Sequence, residues 1–271
     1  MKGLSLALGA YVALFWRLAV GTALAGGLYL ARRPVLPSLR VVRVHFFRSV
    51  FVAAMALGFF WGIGRTPLAE AIALTFIAPL IALGLAAVFL EERIGSRSIV
   101  GSLLGLAGVG VILLGRLGTP HGPDALWGMV AIVVSAVFYA VNLVIARHQA
   151  QLAEPLEIAA FQNLFVLGLL CLGAPWLLSL PAPAQWPAIG LAAALAIVSL
   201  LLLSWAYARA EAQALLSTEY TAFIWASLTG WWFFGEALTL VTVAGTALIV
   251  AGCLLAARKP QTRPEAEIAA T

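Results

Sequence analysis

The sequence predicts an all-α polytopic membrane protein, built as an inverted repeat of helical halves with about nine transmembrane helices. Three observations lead there. Hydrophobic residues make up 63% of the 271 and charged residues 10%, with a mean hydropathy of +1.04, whereas soluble domains are roughly 45–50% apolar. So few charges could not cover the surface of a soluble domain of this size. Apolar stretches of about 20 residues recur along the chain, the length a helix needs to cross hydrocarbon. Finally, the stretch from Trp61 to Glu92 is echoed from Trp205 to Glu236. A shift of 144 positions lays Trp61 on Trp205, Arg65 on Arg209, Phe76 on Tyr220, Glu92 on Glu236, Gly101 on Gly245 and Gly108 on Gly252.

In chain order, spans are expected near 8–30, 46–64, 68–90, 97–115, 126–146, 157–178, 187–208, 212–234 and 239–257. The first carries Arg17 at its middle and runs on to Leu30, which is not the pattern of a cleaved signal. Arg32–His45 and Arg116–Ala125 read as the most polar connections. The second span holds Gly58 and Gly62, a small-x-x-x-small face for close helix packing. Pro67 suits the first turn of the third span, and Pro79 interrupts it. Gly101 and Gly105 give the fourth span a similar small face, available to a neighbouring helix or to a second copy in a homodimer. Tyr139 and Asn142 fall three apart on the fifth span, and Gln162 and Asn163 lie in the sixth. Pro181–Pro187 forms a proline-rich turn. Residues 260–271 are polar and expected to be a disordered cytoplasmic tail. Cys171 and Cys253 sit inside apolar spans and imply no disulfide framework.

Residues 1–118 thus form a first repeat of four helices and 119–259 a second of five. The extra span, 126–146, maps upstream of Met1, so a first helix is expected to be missing from the first half. Halves separated by an odd number of spans enter the membrane in opposite senses, which is how inverted repeats arise.

Charge sets the orientation. With the carboxyl terminus inside, twelve basic residues fall in inner loops (Arg32, Arg33, Arg40, Arg43, Arg48, Arg93, Arg97, Arg147, Arg209, Arg258, Lys259, Arg263), against three outside (Lys2, Arg65, Arg116). That asymmetry is the positive-inside pattern. It accounts for the net charge of +5 without nucleic acid, and it points to an inner membrane with a cytoplasmic carboxyl terminus.

Two long stretches, PLAEAIALTFIAPLIALGLAAVFLEERIGSRSIVGSLLGLAGVGVIL and LLSTEYTAFIWASLTGWWFFGEALTLVTVAGTALIVAGCLL, together with FWRLAVG at 15–21, resemble the two halves of an EamA-type transporter of the drug/metabolite transporter superfamily. The details are most similar to the branch that includes S-adenosylmethionine uptake carriers. The resemblance implies ten helices, both termini in the cytoplasm and a central cavity between the halves. Its members move amino acids, nucleosides, riboflavin-like compounds and drugs in either direction. This chain departs from the pattern by lacking the first helix, and by reading Leu-Glu-Glu where a glycine usually precedes the second glutamate.

Charges inside a span mark function or pairing, because a central acid costs about 2.5–3.5 kcal/mol on insertion scales. Glu219, beside Tyr220, is the sharpest such residue, suited to a proton, a cationic substrate or a buried partner. Arg17 cannot discharge by losing its proton, so it needs a substrate carboxylate or a pairing acid such as Glu219 or Glu70. Glu70 lies near the start of its span, placed to cap or gate. The paired Trp61–Arg65 and Trp205–Arg209 read either as interfacial anchors or as cavity aromatics that stack on a flat or cationic substrate. The expected cavity wall is Trp61, Thr75, Tyr139, Asn142, Trp205, Glu219 and Tyr220. His45, His121 and His148 are placed in or beside loops. No catalytic constellation, metal motif or phosphate-cradling glycine loop occurs, so no cofactor and no ATP hydrolysis by this chain are expected. The expectation is a secondary transporter of a small organic metabolite working by alternating access within a lipid bilayer. Its rivals are a lipid-modifying enzyme, for which no acid–base cluster is found, and a non-transporting membrane subunit that needs a dimer mate.

Overall fold

The structure, a computed structural model, describes residues 1–32, 36–78, 81, 85, 96–115, 123–209, 221–236 and 238–257, apart from a few side chains within them. Every element among these residues is helical. In order they are α1 (Lys2–Leu8), α2 (Ala10–Ala31), α3 (Leu39–Ile63), α4 (Leu68–Thr75), α5 (Ser96–Leu114), α6 (Pro123–Gln149), α7 (Pro155–Cys171), the single turn α8 (Ala174–Leu177), a 3-10 turn (Pro183–Gln185), α9 (Trp186–Arg209), α10 (Thr221–Phe234) and α11 (Leu240–Ala257). Four of the described helices are long and apolar enough to cross a membrane by length and composition: Ala10–Ala31, Leu39–Ile63, Asp124–Ala146 and Pro183–Ala206. Shorter apolar helices stand beside them at Ile99–Ile112, Pro155–Cys171, Ala222–Phe234 and Leu240–Gly252.

The outside of the bundle is apolar. Trp232 and Leu240 are 79% and 88% exposed, exposures that favour lipid rather than water as the solvent. The inside is packed with small residues, among them Ala13, Ala53, Ala71, Ala136 and Ala140, all buried. Lipid is as apolar as leucine, so close backbone approach, rather than the hydrophobic effect, is what draws such helices together.

Glycines set the two tightest seams. α5 lies along α11, and a Cβ on Gly108 would stand 2.5 Å from the Gly245 carbonyl oxygen, while one on Gly252 would stand 2.4 Å from that of Gly101. The shift of 144 relates Gly101 to Gly245 and Gly108 to Gly252, so it exchanges the Gly108–Gly245 contact with the Gly252–Gly101 contact, as a local two-fold would. The small face of Gly101 and Gly105 is therefore filled by α11 of the same chain. α3 lies along α6 in the same manner, Gly62 facing Gly128 and Ile132, and Gly58 facing Ala131 and Ser135.

Three boundaries differ from expectation. The second membrane helix starts at Leu39 rather than near 46, because Arg40 and Arg43 are exposed while His45, Arg48, Ser49, Val52, Ala53 and Ala56 are buried. That spacing is the stripe of a helix whose polar start still packs inward. The first span is preceded by α1, with the break at Gly9, whose φ of 79° suits glycine. The expected span 157–178 stops at Cys171, where Gly173 and Pro175 follow and only one further turn forms.

Helix ends gather on two faces. Lys2, Thr66, Leu68 and Glu236 meet on one. His45, Gln149 and Glu157 meet on the other.

Candidate functional site

Between these faces lies a cavity of about 460 Å³. Its wall is drawn from seven helices, from inner positions of α2, α3, α6, α7 and α9 and from the ends of α4 and α10, with Met1 beside them. Arg17 of α2 and Gln162 of α7 supply polar groups, as do Ser135 and Tyr139 of α6 and Thr75 of α4. Phe59 and Phe60 of α3 with Phe76 supply rings, and Ala196 of α9 and Ala222 of α10 close the far side. Small side chains leave the space; the aromatic ones shape it.

Arg17 is the charged side chain in this wall, and the Met1 amino terminus lines the same space. Its Nε is buried and meets no hydrogen-bond acceptor among the described residues, and the Gln162 Oε1 is likewise unpartnered. An arginine keeps its charge in any environment, and one that lines a largely apolar cavity is suited to an anionic group. Thr75, also in the lining, donates its hydroxyl proton to the Ile72 carbonyl at 2.7 Å.

The remaining predicted residues are dispersed. Trp61 and Trp205 are 38% and 53% exposed, away from the cavity. Each carries its arginine over the ring, Arg65 at 3.8 Å and Arg209 at 4.7 Å from the centroid. Each arginine also donates to the carbonyl of its own tryptophan, four residues back. The same small unit thus recurs at both helix ends. Glu70 is buried and accepts the Thr242 hydroxyl at 2.9 Å, tying α4 to α11 rather than to Arg17. Asn142 is buried one turn beyond Tyr139, where its Oδ1 accepts from the Arg48 Nε at 2.8 Å. Glu219 and Tyr220 lie outside the described residues.

Two polar clusters close the ends of the bundle. On one face Glu236 is paired with Lys2 and accepts from the Leu68 backbone N–H at 2.7 Å. Lys2 also donates to the Thr66 carbonyl at 2.8 Å. The helix-ending glutamate thus caps α4 from another part of the chain. On the opposite face Arg48 donates to Asn142 and Gln149, Gln149 meets the His45 Nδ1, and His45 Nε2 stands 3.0 Å from the Glu157 Oε1. The His45 ring stacks on Phe161 with centroids 5.0 Å apart. Sequence reading missed this cluster because it placed His45 in a loop. The signal available was the stripe 45, 48, 49, 52, 53, 56, which continues the buried face of α3 to its polar start.

Among the described residues no group of three metal-ligating side chains occurs. Residues 1–114 and 126–258 match the profile of the EamA-like transporter family. The chain belongs to the EamA-like transporter family. It is 30% identical to the pseudopaline exporter CntI of Pseudomonas aeruginosa, over 95% of this chain and 89% of that one. It is 29% identical to an uncharacterised transporter of Archaeoglobus fulgidus, over 78% of this chain and 75% of the relative. It is also 27% identical to a riboflavin transporter of Rhizobium johnstonii, over 81% and 71% of the two chains. A solved crystal structure shares the fold with a TM-score of 0.63 at 25% identity, covering 91% of this chain and 88% of the other. As an EamA-like family member with an apolar exterior, the chain is a multi-pass membrane protein with a role in small-molecule transport.

Proposed function

We propose that this protein is a secondary transporter that moves a small organic metabolite across the inner membrane by alternating access, with its carboxyl terminus in the cytoplasm. In this reading residues 1–118 and 119–259 are the two halves that rock about the cavity. The observation that carries it is Arg17, whose Nε has no hydrogen-bond partner among the described residues, on the wall of a cavity of about 460 Å³, a volume within the usual range of ligand sites, roughly 300–1,000 Å³. Arg17 would take a carboxylate, Gln162 an N–H donor of the substrate, and Phe59, Phe60, Phe76 and Tyr139 the flat or apolar remainder. That combination fits an amino-acid-bearing metabolite, and S-adenosylmethionine is the example suggested by the branch the sequence resembles. Thr75 lines the same space. Glu219 and Tyr220, in the stretch just before α10, would complete the wall and meet a cationic group.

The test is a thermal-shift screen of purified protein against S-adenosylmethionine, amino acids, nucleosides, riboflavin and cationic drugs. A ligand at a hundred times its dissociation constant stabilises the state it binds by about 2.7 kcal/mol. Stabilisation by carboxylate-bearing compounds, absent in Arg17→Gln, supports the assignment. Stabilisation unchanged in Arg17→Gln would remove Arg17 from the site.

A further inference from the structure

The cluster at the start of α3 has a hydrogen-bond polarity that its members cannot reverse. Arg48 only donates, so its bond to Gln149 is received by the amide oxygen. The Gln149 amide nitrogen is then the group facing the His45 Nδ1, and Nδ1 has to accept. The proton of the neutral ring is therefore on Nε2, which donates to Glu157 at 3.0 Å. Direction runs one way: Arg48 to Gln149, Gln149 to His45, His45 to Glu157. Asn142 holds the other arm of Arg48.

A second proton on His45 would have to sit on Nδ1, where it confronts the N–H of Gln149. Turning the amide relieves that conflict and moves it to Arg48, whose donor would then face the amide nitrogen. With every group buried or half-buried, water is not at hand to absorb the mismatch, and a buried donor facing a donor is strongly unfavourable. The chain of bonds and the protonated ring thus exclude one another.

The cluster also sits where its rupture matters. It joins α3 to α6 and α7, and α3 bears Val52, Met55, Ala56, Phe59 and Phe60 on the cavity wall. Among the described residues, other titratable or charged groups facing His45 are few. α2 contributes Tyr29, which adjoins Glu157, α7 contributes Glu154 at its amino-terminal cap, and α3 itself contributes Arg48. His148 of α6 faces the exterior.

We propose that His45 and Glu157 form the proton-binding site of this protein. Uptake of a proton at His45 breaks the bridge through Gln149 to Arg48, frees the foot of α3 and opens the cavity toward that face. The proton is accordingly the coupling ion, held about three helical turns from the solute rather than beside it. The link to solute movement rests on the transporter reading; the proton site and its effect on α3 do not.

The experiment measures the distance between spin labels at Arg40→Cys on α3 and Gln151→Cys beyond α6, with Cys171 and Cys253 replaced by alanine, in lipid nanodiscs from pH 8 to pH 5. The expected result is a short distance at pH 8 that gives way to a longer one as the pH falls, with one midpoint. His45→Gln abolishes the change. Arg48→Met, which lets the amide turn freely and removes a positive charge, moves the midpoint to higher pH. Glu157→Gln, which removes the counter-charge of the imidazolium, moves it to lower pH. A merely structural cluster would give no such opposed shifts. Should His45→Gln fold poorly, histidine nitrogen NMR of the unsubstituted protein decides instead, the proposal requiring an Nε2–H tautomer at pH 8. A distance that does not respond to pH, a response that persists in His45→Gln, or an Nδ1–H tautomer overturns the proposal. A pH response in a protein that binds none of the screened solutes leaves the proton site standing and counts against the transporter reading alone.

Discussion

Arg17 keeps its charge inside an apolar wall, and its surroundings leave the Nε without an acceptor among the described residues. Arg17→Gln is accordingly expected to leave the melting temperature of the unliganded protein unchanged or raised, while removing stabilisation by carboxylate ligands. Arg17→Lys, a point charge without the planar fork, should retain part of it. Melting curves with and without ligand distinguish these outcomes, and a large loss of unliganded stability in Arg17→Gln would point to structural pairing. Much at this scale was legible: an arginine in the middle of an apolar span announces a site or a partner by its position alone. His45 was not legible, because a run with Arg32, Arg33, Arg40 and Arg43 reads as loop when composition is averaged. Only the phase of the helix separates the exposed Arg40 and Arg43 from the buried His45 and Arg48. Trp61 and Trp205 show the opposite limit. Their repeat spacing was plain, but whether an indole faces cavity or membrane depends on helix rotation, which packing sets.

Among the elements, the α5–α11 seam rests on backbone contact. A methyl on Gly108 would lie 2.5 Å from the Gly245 carbonyl oxygen, whereas Gly110 has nothing within 4 Å. Gly108→Ala should therefore destabilise by about 1–3 kcal/mol, the usual range for overpacking, and Gly110→Ala should be near neutral or slightly stabilising. Thermal unfolding in one detergent compares them directly. The amino terminus of α4 offers a second comparison. Glu236→Gln keeps an acceptor for the Leu68 N–H but loses the charge that pairs with Lys2, while Glu236→Ala loses both. The alanine variant should be the less stable by about 0.5–2 kcal/mol, the range of a lost cap. Helix positions were readable from apolar length and glycine spacing. The starts and ends were less so, since α3 extends beyond its apolar core and the helix at 155–171 ends early at a glycine and a proline.

For the whole molecule, polar clusters at both ends and an aromatic-walled cavity between them describe a bundle with two closures. Lys2 and Glu236 bind α1 to the α10–α11 connection on one face, and His45 with Glu157 binds α3 to α7 on the other. Alternating access requires that each closure open in turn while the other holds. Lowering the pH from 8 to 5 is expected to loosen the face that holds His45 and not the Lys2–Glu236 face, whose closure contains no imidazole. The 144-residue echo in the sequence was plain to read, and its glycines Gly101, Gly108, Gly245 and Gly252 lie in the α5–α11 seam. Which faces close, and by which residues, depends on contacts between segments as distant as Lys2 and Glu236.

The most direct measurement of the central claim needs no known substrate. Thr75→Cys, in a protein whose Cys171 and Cys253 are alanine, places a thiol in the cavity wall, and membrane-impermeant maleimide is applied to oriented vesicles from either side. Alternating access predicts modification from both sides, slowed by any ligand that stabilises the protein. Modification from one side alone, or from neither, would contradict it.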